Sequence, residues 1–500
     1  MARNQDKSRF DPEGTRLPIK LDTTSNGEFA PRPLERHSVL ANQRAIEQVG
    51  INARRLGLSR RNFLVSSAGA ATTLLAFNEA HAALGKTGSF YDLPQLAALD
   101  SAAADASLAK REFIFDIQGH HVNALERWKA PNMLTATGLK FMPQSKCDYL
   151  DPKSEYGHMK CFTSQAFVKE MFLDSDTDMA VLTFTPTTFE DMPLTQDEAE
   201  ATREMVDAMK DGHRLLVHGR VVPNIPGDLE RMPELAEKWN IAAWKTYTQA
   251  DPAGETGWWL DDEEHGAKLI ERARKTGVKT ICIHKGVPLP TPFMTGKNRQ
   301  FGGCGDVGKA ARQNPDIDFI IYHSGYDLKN RGEEFVPGKH EIGIDSLIQS
   351  LLDNGVKPNS NVYAELGTTW RYLMKDPNEA AHAMGKLFRY VGENNVVWGT
   401  DSIWYGSPQD QIQAFRTFQI SPEYQEKFGY PAITPELRAK VFGLNALRPY
   451  GLDVTDIRKS FLADTMQKAK GHNAERPDPT FLTYGPQTRR EFFALLKAGG

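Results

Sequence analysis

The feature that most constrains this chain is an eightfold alternation of strand-like and helix-like sequence. Apolar, strand-like runs occur at 111–121, 178–185, 213–220, 240–247, 278–284, 317–323, 361–366 and 395–401. Amphipathic helical patterns at 195–210, 261–276, 341–353 and 378–391 lie between them. In 341–353, Ile344, Leu347, Ile348 and Leu351 stand at i, i+3, i+4 and i+7, which gives one apolar face to lay on a sheet. The run Phe319-Ile320-Ile321-Tyr322 shows no polar alternation, as suits a parallel strand covered on both faces. Eight strand–helix units predict an α/β fold, a closed (β/α)8 TIM barrel over residues 111–452, with its chemistry at the C-terminal ends of the strands. An open doubly wound sheet would need a glycine-rich phosphate loop after the first strand, and the sequence has none there.

Composition narrows the class. A hydrophobic fraction of 40% and a charged fraction of 25% describe an ordinary globular protein. Residues 1–82 carry 12 Lys+Arg against 8 Asp+Glu, so the remainder carries 48 against 56, a balance of −8 within the overall −4. So acidic a body argues against nucleic acid as a partner. The four cysteines, Cys147, Cys161, Cys282 and Cys304, contain no CxxC pair, which argues against a zinc knuckle or a redox dithiol. Cys147 and Cys161 either pair in an oxidising compartment or stay as buried thiols, and the sequence leaves both open. Cys282 shares strand parity with His284 and is expected to point into the barrel as a small core residue.

Ser59-Arg60-Arg61-Asn62-Phe63-Leu64 opens an apolar stretch to about Phe77, followed by Ala80-His81-Ala82. Paired arginines, a core rich in Ala, Ser, Thr and Gly, and an A-x-A ending resemble a twin-arginine signal peptide. That resemblance implies a leader over 1–82, recognition by the twin-arginine export machinery, cleavage near Ala83 and a periplasmic protein exported already folded. The run is too short and too weakly apolar for stable membrane insertion. Residues 83–110 read as a linker with a helix at 93–109, and 453–500 as a C-terminal tail.

Polar residues gather at the strand ends. The first strand runs Asp116-Ile117-Gln118-Gly119-His120-His121, the third ends Val217-His218-Gly219-Arg220, and the fourth holds Lys245. The fifth ends at His284, the sixth at His323, the seventh at Glu365 and the eighth at Asp401. A lone strand-end histidine is more often a hydrogen-bonded structural residue than a ligand. Here several strands deliver His, Lys, Glu or Asp to the one rim where a barrel keeps its chemistry.

With these motifs the sequence resembles the amidohydrolase-related branch of the amidohydrolase superfamily, which includes aminocarboxymuconate-semialdehyde decarboxylase. The resemblance covers roughly 111–452 and includes the closing segment Val441-Phe442-Gly443-Leu444-Asn445-Ala446-Leu447. The family's D-x-H-x-H falls on Asp116, Gln118 and His120, and its later positions on His284, His323 and Asp401. The resemblance implies a divalent metal ion, zinc or manganese, on His120, His284 and Asp401, with Gln118 where the family has its first metal-binding histidine. A neutral amide is a weak zinc ligand, so the site either takes a more oxygen-tolerant ion or is completed by Glu365 or Lys245. Lys245 is read either as a carboxylated, metal-bridging lysine or as a cation for a substrate carboxylate, with His218, Arg220 and Glu365 as further substrate-binding candidates.

Such a site would lower the pKa of bound water from 15.7 to about 7 and polarise a carbonyl. Asp401 would act as general base and His323 would orient the attacking hydroxide or the oxyanion. This implies hydrolysis of an amide, ester or lactone in a small, aromatic or carboxylated molecule. Decarboxylation of an aromatic or unsaturated acid is the alternative, and a non-catalytic barrel that only binds is the third reading. The insertions 123–177 and 286–304, with Trp128, Phe141, Tyr149, Tyr156, Lys297 and Arg299, are expected to cover the strand ends. A homo-oligomer is compatible with the sequence.

Overall fold

The structure, a computed structural model, describes residues 16–123 except 27, 161–186, 192–209, 213–249, 257–287, 298–328, 332–339, 342–461 and 465–475, with 477, 479, 487–490 and 492–493 beyond them. Eight parallel strand positions follow one another in chain order: β1 (Phe115–Gly119), β2 (Met179–Leu182), β3 in two pieces (Leu215–Val217 and Gly219–Arg220), β4 (Trp244–Tyr247), β5 (Thr280–His284), β6 (Asp318–Tyr322), β7 (Val362–Glu365) and β8 (Val396–Val397). Each pairs in parallel with the next. The two pieces of β3 flank His218, and the ladder carries across because Ala242 N donates to Val217 O (2.9 Å) and Gly219 N to Ala243 O (2.9 Å).

The ring closes between β8 and β1. Ile117 N donates to Trp398 O at 3.1 Å, Asp401 N to Gln118 O at 3.0 Å and His120 N to Ser402 O at 2.6 Å, around a parallel bridge between Gly119 and Ser402. The fold is therefore a (β/α)8 barrel. Its interior is filled by Phe115, Ile117, Val181, Cys282, Ile320, Tyr322, Tyr363 and Val397. Cys282 is a free, buried thiol among them, as strand parity predicts.

The expected helices form as Gln196–Asp207, Gly266–Thr276, Ile344–Asp353 and Pro377–Lys386. The first is closed by a capping box between Thr195 and Glu198. The single helix expected at 93–109 is divided into a 3-10 turn, Gln95–Ala98, and a helix, Ser101–Leu108. The reason is local: the Asp100 carboxylate accepts from Ala103 N at 2.8 Å and starts a new helix there.

The N-terminal segment folds onto the barrel. Helix α1 (Arg36–Arg55) and helix α2 (Ser67–Ala82) pack together, and twelve of the sixteen residues of α2 are buried. A helix that is apolar all round must be covered on all sides, and α2 is the buried middle of this layer. Asn52 Nδ2 on α1 donates to Thr72 Oγ1 on α2 at 3.1 Å. Side chains tie the layer to the barrel: Asp22 to Arg371 (2.9 Å), Lys20 to Tyr405 O (3.1 Å) and Lys86 to Asp376 (2.5 Å). The short strand Ser89–Tyr91 pairs antiparallel with Phe418–Ile420. The described residues of the expected leader, from 16 on, thus pack into the folded core. Among the described residues no helix is long and apolar enough to cross a membrane.

Each insertion touches the C-terminal ends of the strands through a described residue, Phe162 or Phe301, while residues 174–177 of the first already lead into the start of β2. Phe162 O accepts from Val122 N at 2.8 Å, and Phe301 O from Lys285 Nζ at 2.9 Å. Trp128, Phe141, Tyr149, Tyr156, Lys297 and Cys147 lie outside the described residues. Cys161 is disulfide-bonded, whereas Cys282 and Cys304 are free.

Candidate active site

The strand-end residues meet at one rim, and tight turns aim them. His323, Ser324, Thr368 and Asp401 take left-handed backbone, with φ of 64°, 54°, 55° and 59°. Such conformations cost about 1–3 kcal/mol each and persist where surrounding bonds enforce them. The enforcing bonds are present: His323 N donates to Glu365 Oε2 at 2.9 Å, and Asp401 N to Gln118 O. Asp116, the first residue of the strand-one motif, works behind them. It accepts from Thr400 Oγ1, from Thr400 N (3.2 Å) and from Gln118 N (3.1 Å), and so fixes the turn that carries Asp401.

Two side-chain pairs result. In the first, His120 Nε2 stands 3.2 Å from Asp401 Oδ1. Asp401 also accepts from Gln118 Nε2 (3.0 Å), Asn26 Nδ2 (2.9 Å) and Thr368 Oγ1 (2.6 Å). Burial alone would raise its pKa, but the hydrogen bond and charge of His120 prevail and hold it at about 2. Trp404 stacks on the His120 ring at 5.3 Å, and a small cleft lined by His120, Thr183, Phe184, Met192 and Leu194 opens beside it.

In the second pair, His323 Nε2 lies 3.1 Å from His284 Nδ1. Their outer nitrogens both face carbonyls: His323 Nδ1 with Gly367 O at 2.8 Å, His284 Nε2 with Val287 O at 3.3 Å. A carbonyl only accepts, so each outer nitrogen carries the ring's proton. Burial keeps both rings neutral, His323 with its pKa lowered to about 4 and His284 well below its usual value. Two bare lone pairs therefore face each other, and Glu28 Oε1 lies 3.8 Å from His284 Nδ1. Glu28, His284 and His323 each offer a ligand atom within 4.8 Å of the others. Facing lone pairs beside a carboxyl oxygen call for a cation, and outer N–H groups bound to carbonyls are how metal-binding histidines are held. The donor set fits a divalent ion.

This grouping revises the expected ligand set. The trio His120, His284 and Asp401 does not form a ligand group; His120 and Asp401 pair with each other, and His323 joins His284. The reason is position around the rim: β5 and β6 are neighbours, whereas β8 and β1 meet on the closing seam. Gln118 spends its amide N–H on Asp401, and its Oε1 is buried without a hydrogen-bond partner among the described residues. That oxygen and Glu365 Oε1 sit so close to Gly367 that a Cβ there would lie 2.0 Å and 2.6 Å from them.

Lys245 points into the same interior. Its Nζ lies 3.6 Å above the Tyr322 ring and has no hydrogen-bond partner among the described residues. Burial lowers its pKa to about 8, and burial raises that of Glu365 to about 8. His218 sits deeper, between Thr183 Oγ1 and Tyr450 OH, each at 2.9 Å. Both its ring nitrogens are thereby engaged within the barrel. Arg220 departs from expectation, because its guanidinium makes a buried, two-bonded pair with Asp228 at 2.8 Å and 2.8 Å. Breaking such a pair strands a buried charge, so Arg220→Ala is expected to cost about 3–5 kcal/mol of stability. Urea unfolding measures this; an unchanged midpoint would restore a role at the substrate.

Sequence reading missed Asn26, Glu28, Thr368 and Tyr405. Thr368, three residues after the β7 glutamate, could have been found as part of a strand-end turn. Asn26 and Glu28 stand in a segment with no strand or helix periodicity, and no local signal marked them.

A family model described as amidohydrolase matches residues 176–452. The chain belongs to the amidohydrolase family. The match ends where the sequence resemblance does but starts later, leaving β1 with its Gln118 outside it. No curated protein matches this amidohydrolase in sequence. Among solved structures it is similar to an uncharacterised TIM-barrel protein from Bordetella bronchiseptica (13% identity, TM-score 0.39, covering 68% of this chain and 99% of that one). It is also similar to 2,6-dihydroxybenzoate decarboxylase from Rhizobium (11%, 0.40, 68% and 99%). A third is an amidohydrolase from Mycobacterium avium subsp. paratuberculosis (11%, 0.38, 69% and 100%). Likenesses this distant carry no weight for the activity.

Proposed function

We propose that this amidohydrolase is a metal-dependent hydrolase of an amide, ester or lactone in a small molecule. His284 and His323 hold a divalent ion, zinc or manganese, and Asp401 with His120 forms the acid–base pair. The observation that carries the reading is the pair of ring nitrogens, His284 Nδ1 and His323 Nε2, 3.1 Å apart at the rim, with the outer nitrogen of each ring on a backbone carbonyl. When bound, the ion supplies a Lewis acid and a water of lowered pKa. The chain supplies the rest. Asp401, ionised throughout the neutral range, accepts the proton of the attacking water, and His120 Nε2, 3.2 Å from Oδ1, orients the carboxylate. Thr368 and Asn26 hold the carboxylate in place for this step.

Decarboxylation is the second reading, and Lys245 favours it. A buried ammonium without a hydrogen-bond partner among the described residues suits a substrate carboxylate. Protein purified without chelator and analysed for metals is expected to hold about one divalent ion per chain. A panel of amides, lactones and aromatic acids then separates the readings by product, with carbon dioxide release from the acids alone favouring the decarboxylase. Metal-free protein with undiminished turnover would end the metal reading.

A further inference from the structure

We infer that Glu28 is itself a ligand of the ion at His284 and His323, so that the N-terminal segment completes the metal site; this rests on the metal reading above. Two neutral imidazoles bring no charge to a divalent ion. Strand β1 offers a neutral amide, Gln118, and its nitrogen is turned to Asp401. One carboxylate therefore supplies both the third donor and the first negative charge. Two histidines and one glutamate are a donor set that holds a catalytic ion with one position open.

The segment is built to deliver that carboxylate. Asn26 Nδ2 holds Glu28 Oε2 at 2.7 Å, and Asn26 Oδ1 accepts from Glu28 N at 3.0 Å. Glu28 Oε1 is the oxygen left for His284 Nδ1, 3.8 Å away. The stretch is pinned on both sides of the glutamate. Asp22 pairs with Arg371, Ser25 Oγ donates to Phe29 O at 2.5 Å, and the Phe29 ring meets Tyr372 edge-on at 5.0 Å. Asn26 also binds Asp401, so one turn of chain touches both halves of the site. The Glu28 side chain is 21% exposed and His284 only 1%, so the carboxyl stands on the solvent side of the imidazole.

The test uses the full-length chain, stripped of metal and titrated with Co2+. Chelator competition should show Glu28→Gln binding at least about 10-fold more weakly than wild type, the low end of what losing even a supporting partner costs. Glu28→Cys should add a thiolate-to-cobalt charge-transfer band that wild type lacks, a signal gained only if position 28 reaches the ion. Matching melting temperatures of the metal-free proteins would show that the fold is kept; if Glu28→Gln does not fold, the Glu28→Cys band decides. Unchanged affinity in Glu28→Gln with no new band would overturn the inference and leave the metal reading standing. Wild-type protein that takes up no Co2+ would remove the metal reading itself.

Discussion

Asp401→Asn is expected to lower kcat by about 10²–10⁴-fold, the range that a positioned base contributes, with the barrel intact. The substitution removes the charge and the base while keeping the shape. Asparagine tolerates the left-handed backbone that position 401 requires, φ 59°, better than alanine does. Gln118 donates to Oδ1 and Asn26 to Oδ2, so the asparagine's amide oxygen at the Oδ1 position keeps the bond from Gln118, while its amide nitrogen at the Oδ2 position loses the one from Asn26. Its amide nitrogen meets Thr368 Oγ1, which turns from donor to acceptor and passes its own proton to Tyr405 OH, 3.2 Å away. The melting temperature should therefore fall only by what the lost Asn26 bond is worth, about 1 kcal/mol. Steady-state kinetics check this, and a variant within threefold of wild type would remove Asp401 from the chemistry.

Deleting residues 1–82 is expected to leave an insoluble protein, or one melting on the order of 10 °C lower, if only one buried charge pair worth about 3–5 kcal/mol is lost. The deletion strips Asp22 and Lys20 from Arg371 and Asp410, whose side chains are 1% and 2% exposed. It also uncovers the barrel surface beneath Leu17, Ile19, Leu21, Phe29, Leu74 and Phe77, all buried. A fully buried side chain of this kind contributes about 1.5–3 kcal/mol. The opposite expectation follows from a cleaved leader, in which the chain from Ala83 onward would be the stable, mature form. Thermal unfolding of the truncated chain and the mass of the exported protein decide between them. A soluble, equally stable truncation would favour cleavage. A full-length exported protein would join the paired arginines Arg60 and Arg61 to a folded, retained N-terminus.

The barrel was legible in the sequence because its signals are local. A parallel strand covered on both faces must be apolar along its whole length, and Phe319-Ile320-Ile321-Tyr322 states that within four residues. The strand-end residues were legible for the same reason, since His284 and Glu365 are the last residues of their own strands and Asp401 stands four residues after β8. Which of them meet was not. The distance from His284 to His323 depends on neighbouring strands in a closed ring and on the left-handed turns at His323 and Asp401, and no single segment encodes either. Helix α2 is the plainest case. An apolar run of Ala, Leu, Thr and Phe must leave water, and its sequence says nothing about whether it enters an export channel or a protein interior. Only the tertiary structure, by packing α1 and the barrel around it, supplied the interior. By the same folding it carried Glu28, which no periodicity marks, to the side of His284.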